Sequence, residues 1–197
     1  MLFTYLSLLL AWFFFGLIHS VLSSSRVKMK AEGYMKRYFR FYRILYSIFA
    51  TFSLCVVLYF HFMPKSYLLW HTQPFENYLS ILAITAGAYI MMICVYKYFF
   101  DLSGIDAILG KKHIGFLQEK GMNAYVRHPL YFGTLLFVWA IFFRFPYLNN
   151  AVSCLCITLY TVIGIYYEEK KLVIDFGVQY QSYQKRVPAL VPFTKRK

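Results

Sequence analysis

Two groups of ionisable residues in this sequence have types and spacing suited to chemistry: Arg127-His128-Pro129 and Glu168-Glu169. Pro129 suits the first turn of a helix, where its missing N–H costs nothing. Arg127 and His128 then stand at a helix N-terminus, where unpaired backbone N–H groups and the helix dipole favour an anion such as a carboxylate or phosphate. The same residue types also serve as headgroup anchors at a membrane boundary. Glu168 and Glu169 are two of only eight acidic residues, and they follow directly on an apolar run. Glu169 shares a helix face with Leu172, Val173 and Phe176, and a carboxylate on an apolar stripe needs a partner. Glu168 shares its face with Thr161 and Gly164, small residues able to line a cleft, and the plainer alternative is a loose pair with Lys171. Carboxylates at a membrane edge default to a functional reading.

The elements that must position these residues are membrane elements. Of 197 residues, 60% are hydrophobic, 22% aromatic and only 15% charged, with a mean hydropathy of +0.51. A soluble domain of this length cannot bury so much apolar surface, so the class is an all-α integral membrane protein. The formal charge of +13 sits between apolar runs, where it reports topology rather than nucleic acid, and no nucleic-acid partner is expected. Cys55, Cys94, Cys154 and Cys156 lie inside apolar runs without metal-ligand spacing, so they read as small core residues and no metal site is expected. The first apolar run lacks a basic n-region and a small-residue cleavage site, which points to a retained helix.

Five apolar runs predict about five transmembrane helices: Leu2–Leu22, Ile44–Met63, Tyr78–Phe100, Leu130–Phe143 and Ala151–Tyr167. His19 near the end of the first reads as a cap or an interfacial residue. The basic, aromatic stretch Arg26–Arg43 reads as a helix or loop on an anionic membrane face. The connector from Pro64 to Asn77 reads as an interfacial loop. Ser80, Thr85, Gly87 and Ala88 supply small contact positions for neighbouring helices. A long polar loop, Asp101–Tyr125, carries Gly104, Gly110, Gly115 and Gly121, and loops of this length usually carry function. The fourth run is short, and Asn149-Asn150 turns it into the fifth. Gly177 is expected to break the last helix, and Tyr180 and Tyr183 read as ordinary interfacial packing. The chain thus divides into a three-helix segment, 1–100, and a second part, 101–197, that carries both ionisable groups.

Of the 21 lysines and arginines, only Lys65 and Arg144 fall in the second and fourth connections. All others follow the first, third and fifth runs, counting Lys97 at the end of the third. The positive-inside rule therefore places the N-terminus outside and the C-terminus in the cytoplasm, as in a bacterial inner membrane. Arg127-His128-Pro129, the Glu pair and the C-terminal tail then share the cytoplasmic face.

In order, Gly121, Arg127-His128-Pro129-Leu130-Tyr131-Phe132-Gly133, an apolar hairpin, Glu168-Glu169, Phe176-Gly177, Tyr180, Tyr183 and Val187-Pro188 resemble the isoprenylcysteine carboxyl methyltransferase superfamily. The resemblance covers about Gly121 to Phe193. The stretch with Gly16, His19-Ser20 and Tyr42-Arg43 is similar to its small-thiol S-methyltransferase and NnrU-type branches. The resemblance implies S-adenosylmethionine as methyl donor, in a pocket formed by the cytoplasmic C-terminal part of the chain. It implies cofactor-binding roles for Gly121, Arg127, His128, Tyr131, Glu168 and Glu169, and catalytic roles for His128 and Arg127. Arg127 would hold the methionine carboxylate or brace the loop, and the glutamates would meet the ammonium or ribose or orient the motif. Asn123 stands where members commonly carry Tyr. Gly164 stands where enzymes acting on isoprenylcysteine carry Arg, so the resemblance implies a small thiol or another lipophilic acceptor rather than an isoprenylcysteine carboxylate. The rival readings are a non-enzymatic accessory protein or transporter on the same scaffold, and a sterol-type reductase, for which no nicotinamide fingerprint is present.

Overall fold

The computed structural model describes residues 2–63, 66–103 and 117–194, and within it the protein is helical. The sequence-predicted glycines Gly104, Gly110 and Gly115 lie outside the described residues, as do Pro64 and Lys65. The helices are α1 (Leu2–Ser23), α2 (Ser25–Met35), α3 (Tyr42–Phe62), α4 (Pro74–Ser103), α5 (Pro129–Arg144) and α6 (Leu148–Arg186). Short 3-10 turns occupy Lys36–Phe41 and Gly121–Ala124. Helices α1, α3, α4 and α6 contain stretches long and apolar enough to cross a bilayer. Helix α5, at 16 residues, reaches only about 24 Å, short of a hydrocarbon core of about 30 Å.

The local signals explain most boundaries. Ser24 caps α2, its hydroxyl accepting from the Val27 N–H. The stretch Arg26–Arg43 is thus a capped helix, a 3-10 turn and the start of α3, and α2 buries none of its residues. Helix α4 starts four residues before the apolar run, inside the expected loop. Pro74 takes its first position, and the Glu76 carboxylate accepts the Gln73 N–H at 2.9 Å, half of a capping box.

The chain forms two compact units. The first contains Met1–Leu69, the end of α4 and Tyr147–Cys156. In it α1 packs on α3, with the His19 ring bonded to the Tyr46 hydroxyl (2.6 Å from Nε2) and the Tyr42 hydroxyl donating to the Leu22 carbonyl at 2.7 Å. His19 is therefore a helix-pairing residue. A buried polar chain joins α1, α3 and the start of α6: Trp12 Nε1 donates to Ser153 Oγ at 2.9 Å, His61 Nδ1 lies 2.9 Å from the same oxygen, and Asn149 Nδ2 donates to the His61 carbonyl at 2.8 Å. Such bonds join helices where burying apolar surface from lipid gains little. Cys55 faces outward on α3, whereas Cys94 and Cys154 are buried.

The second unit contains Trp70–Lys97, the described part of 117–146 and Ile157 onward. Its centre is a backbone-close crossing of α4 and α5. A Cβ on Gly87 would lie 2.8 Å from the Phe137 nitrogen, and one on Gly133 2.7 Å from Ile90 Cγ2. Trp139 Nε1 donates to Thr158 Oγ1 at 3.0 Å and ties α5 to α6. Gly133 of the motif is thus a helix-packing residue.

Candidate functional site

Helix α6 has non-helical backbone at Gly177, where φ is +53° and ψ −127°, a conformation that L side chains rarely adopt. The consequence is tertiary. Gln184 Nε2 donates to Glu169 Oε2 at 2.9 Å although 15 residues separate them. A straight helix would hold them about 22 Å apart, so the chain folds back at Gly177. This brings Tyr180, Tyr183 and Val187 into one buried cluster, against which Leu117, Leu172, Val173 and Phe176 pack. The apolar stripe beside Glu169 is the floor of that cluster.

The returning tail closes on the motif. The Arg127 N–H donates to the Pro188 carbonyl at 2.9 Å, and the His128 N–H to the Ala189 carbonyl at 3.0 Å. These two backbone N–H groups are therefore paired with the tail. The Tyr183 hydroxyl donates to the Asn123 carbonyl at 2.5 Å, and Asn123 Nδ2 donates to the Arg127 carbonyl at 3.3 Å. Gly121 begins the 3-10 turn with φ +68°, so its role in the fold is conformational.

Arg127 is the hub. Its side chain is 2% exposed. Nε donates to Glu169 Oε1 at 2.7 Å and Nη2 donates to the same oxygen. Nη1 donates to the Gln184 carbonyl at 3.2 Å and to the Val187 carbonyl. His128, the N-cap residue of α5, places Nε2 3.2 Å from Glu169 Oε1 and Nδ1 3.7 Å from Glu168 Oε2, and its ring stacks on Tyr131 at 5.6 Å and 27°. Glu169 thus accepts from Arg127, His128 and Gln184. The apolar stretch of α6 ends at Tyr167, so this carboxylate lies beyond the span. Burial alone would push its pKa up. Hydrogen bonds from His128 and Arg127, with their charges, outweigh burial and hold it at about 2.

The two glutamates therefore differ. Glu169 is saturated by protein donors and 17% exposed, whereas Glu168 is 44% exposed beside His128. Above them Gly164 faces Tyr131, whose hydroxyl is the nearest atom, at 4.0 Å, to a Cβ built on the glycine. A surface groove of about 430 Å³ runs beside the docked tail, lined by Tyr125, Lys185, Arg186, Pro188 and Phe193 among others. Among the described residues no group of three His, Cys, Asp or Glu is placed to hold a metal ion.

Sequence reading missed Gln184 and the Val187 carbonyl as partners of the Arg-Glu pair. No local pattern marks them, because the fold-back at Gly177 alone brings them there. Tyr180 is buried to 1% exposure, its hydroxyl finds no acceptor among the described residues, and burial pushes its pKa up against the opposing pull of Arg127.

Helical membrane architecture with an Arg-His-Pro helix start locked to a Glu pair defines a class, the superfamily typified by isoprenylcysteine carboxyl methyltransferases. Within it the chain belongs to the NnrU protein family, whose model matches residues 7–192. It is similar to a methanethiol S-methyltransferase of Crocosphaera subtropica, 28% identical over 93% of this chain and 72% of the relative. It is similar to methanethiol S-methyltransferase 1 of Bradyrhizobium diazoefficiens, 24% identical over 92% of this chain and 64% of the relative. A shorter similarity, 40% over 42% of this chain and 34% of the relative, links it to the protein-S-isoprenylcysteine O-methyltransferase of Schizosaccharomyces pombe. The chain thus spans less than two thirds of the second and third of these relatives. No solved structure matches it.

Proposed function

We propose that this protein is an integral membrane methyltransferase that uses S-adenosylmethionine and acts on a small thiol or another neutral, lipophilic acceptor. The observation that carries the reading is the division of labour in the Glu pair. Glu169 is consumed in fixing Arg127 and His128, which leaves Glu168 exposed beside His128 and Tyr131. An open carboxylate next to an aromatic face suits a cationic ligand. The donor set therefore fits the cofactor's cationic end, held by Glu168, Tyr131 and His128. The groove at Tyr125 and Phe193 adds flat aromatic faces suited to a base. The names of the similar proteins support the same chemistry.

Bound there, S-adenosylmethionine supplies an electrophilic methyl group on a sulfonium that leaves as a neutral thioether. Little chemistry is then asked of the protein beyond alignment and exclusion of water. Arg127 is assigned as a brace, because its guanidinium donates to Glu169 and to the tail carbonyls of Gln184 and Val187. His128 positions Tyr131 and Glu168, with its Nδ1 3.7 Å from the exposed Glu168 carboxylate. Thiols need little help to ionise. The positive-inside distribution supports an external N-terminus and a cytoplasmic site.

The test is calorimetric binding of S-adenosylhomocysteine to the protein in lipid nanodiscs, followed by transfer of a labelled methyl group to small thiols and lipids. Binding and transfer are expected. Folded wild type that binds neither S-adenosylmethionine nor S-adenosylhomocysteine would sink the reading and favour a non-catalytic accessory role.

A further inference from the structure

Helix α5 ends at Arg144, about 24 Å from its start at the Arg-His-Pro motif and short of a hydrocarbon core of about 30 Å. The bilayer must thin over this end, which brings lipid headgroups down to the side chains there. Beside it, in the second unit, a groove of about 430 Å³ runs between α4 and α5, lined by Trp70, Glu76, Leu79, Ala83, Ala140 and Phe143 among others. Its walls are mainly apolar. Trp70 closes one side, edge-on to Phe142 with ring centroids 5.3 Å apart. The Ser80 hydroxyl is satisfied inside α4, donating to the Glu76 carbonyl at 2.8 Å. Two opposite charges stand on the rim. The Glu76 carboxylate accepts only the Gln73 N–H, and Arg144 Nη1 donates to Oδ1 of the adjacent Asn77 at 2.6 Å. Among the described residues neither has an ion-pair partner. The positive-inside pattern does not call for Arg144, since Lys65 is the only other basic residue in its set of connections.

We propose that this groove binds one phospholipid with a primary-ammonium headgroup, a phosphatidylethanolamine: an acyl chain lies along Ala83 and Ala140, the phosphate meets Arg144 and the ammonium meets Glu76. A cation and an anion that stand close together without pairing, over an apolar groove, match the three parts of such a lipid. A primary ammonium donates hydrogen bonds to a carboxylate, which a trimethylated one cannot do. A net anionic headgroup would be repelled by Glu76. The lipid is a bound ligand and not the methyl acceptor. Its site lies at the opposite end of α5 from the Glu pair and does not depend on the proposed methyl transfer.

The experiment is native mass spectrometry of the full chain released from nanodiscs. These hold equal parts of phosphatidylethanolamine, phosphatidylcholine and phosphatidylglycerol with the same acyl chains. One retained phosphatidylethanolamine per chain is expected, favoured about tenfold over either competitor, the scale of one charge contact. Glu76→Gln keeps an oxygen for the Gln73 N–H but removes the charge, and should erase the preference in a protein that still unfolds cooperatively. Ala83→Leu fills the groove and should lose the retained lipid of every class. Where Ala83→Leu does not fold, Glu76→Gln decides alone. Equal retention of the three headgroups by wild type overturns the proposal, and so does an unchanged preference in Glu76→Gln, because either reduces the groove to ordinary lipid contact. A stable dimer that retains no lipid also overturns it, by assigning the groove to a second copy of the chain.

Discussion

Arg127 and Glu169 lie 42 positions apart and meet as a nearly buried ion pair, with the guanidinium also gripping the Gln184 and Val187 carbonyls. One side chain thereby holds the start of α5, the middle of α6 and the returning tail. Removing one member leaves the other nearly buried without its closest opposite charge. Arg127→Ala or Glu169→Ala should cost about 3–5 kcal/mol. Arg127→Lys should recover little, because a point-like ammonium cannot reproduce the fork of contacts. Thermal unfolding in detergent measures both.

The same pair sets an acid limit. The Glu169 pKa is depressed from its ordinary 4.5 to about 2, so its ionised form stabilises the fold. That contribution is complete above pH 4.5 and is lost as pH falls toward about 2. Wild type should lose Tm across this window, and Glu169→Gln, already lower, should show a flatter profile.

The two neighbouring glutamates should separate experimentally. Glu168→Gln removes an exposed carboxylate, so Tm should stay within about 1 °C while S-adenosylmethionine affinity falls about tenfold, the scale of one lost charge contact. Glu169→Gln should lower Tm strongly. If Glu168→Gln binds the cofactor as wild type does, the assignment of the open carboxylate to the ligand is wrong.

Gly87→Ala and Gly133→Ala probe the α4–α5 crossing. The first meets backbone and the second a side-chain methyl that can shift. Both should destabilise, by about 1–3 kcal/mol, with Gly87→Ala the worse. Equal Tm values for both variants and wild type would contradict the crossing.

Tyr180 offers an opposite sign. Its buried hydroxyl finds no acceptor among the described residues, so its proton is desolvated without a bond although the Arg127 guanidinium lies beside the oxygen. Tyr180→Phe should leave Tm unchanged or raise it. A fall of several degrees would reveal a partner for the hydroxyl.

Much of this was legible in the sequence. Composition and run length demanded a helical membrane protein, because apolar side chains at this density have no other home. Pro129 at a helix start and Gly177 at a break follow from backbone chemistry local to each residue. The order of Arg127-His128-Pro129 and Glu168-Glu169 marked the residues that meet, since charge beside an apolar run must be paired or used. The partners themselves were not legible. Glu169 and Glu168 are adjacent and chemically alike, and only the rotation of α6 against Arg127 makes one a brace and leaves the other open. Gln184 and the Val187 and Pro188 carbonyls join the site through a fold-back whose direction depends on Gly177 torsions that no residue pattern specifies. Gly133 and Gly164 look alike as letters. The distance to the facing helix makes one a contact and leaves the other open, and that distance exists only once the helices have packed.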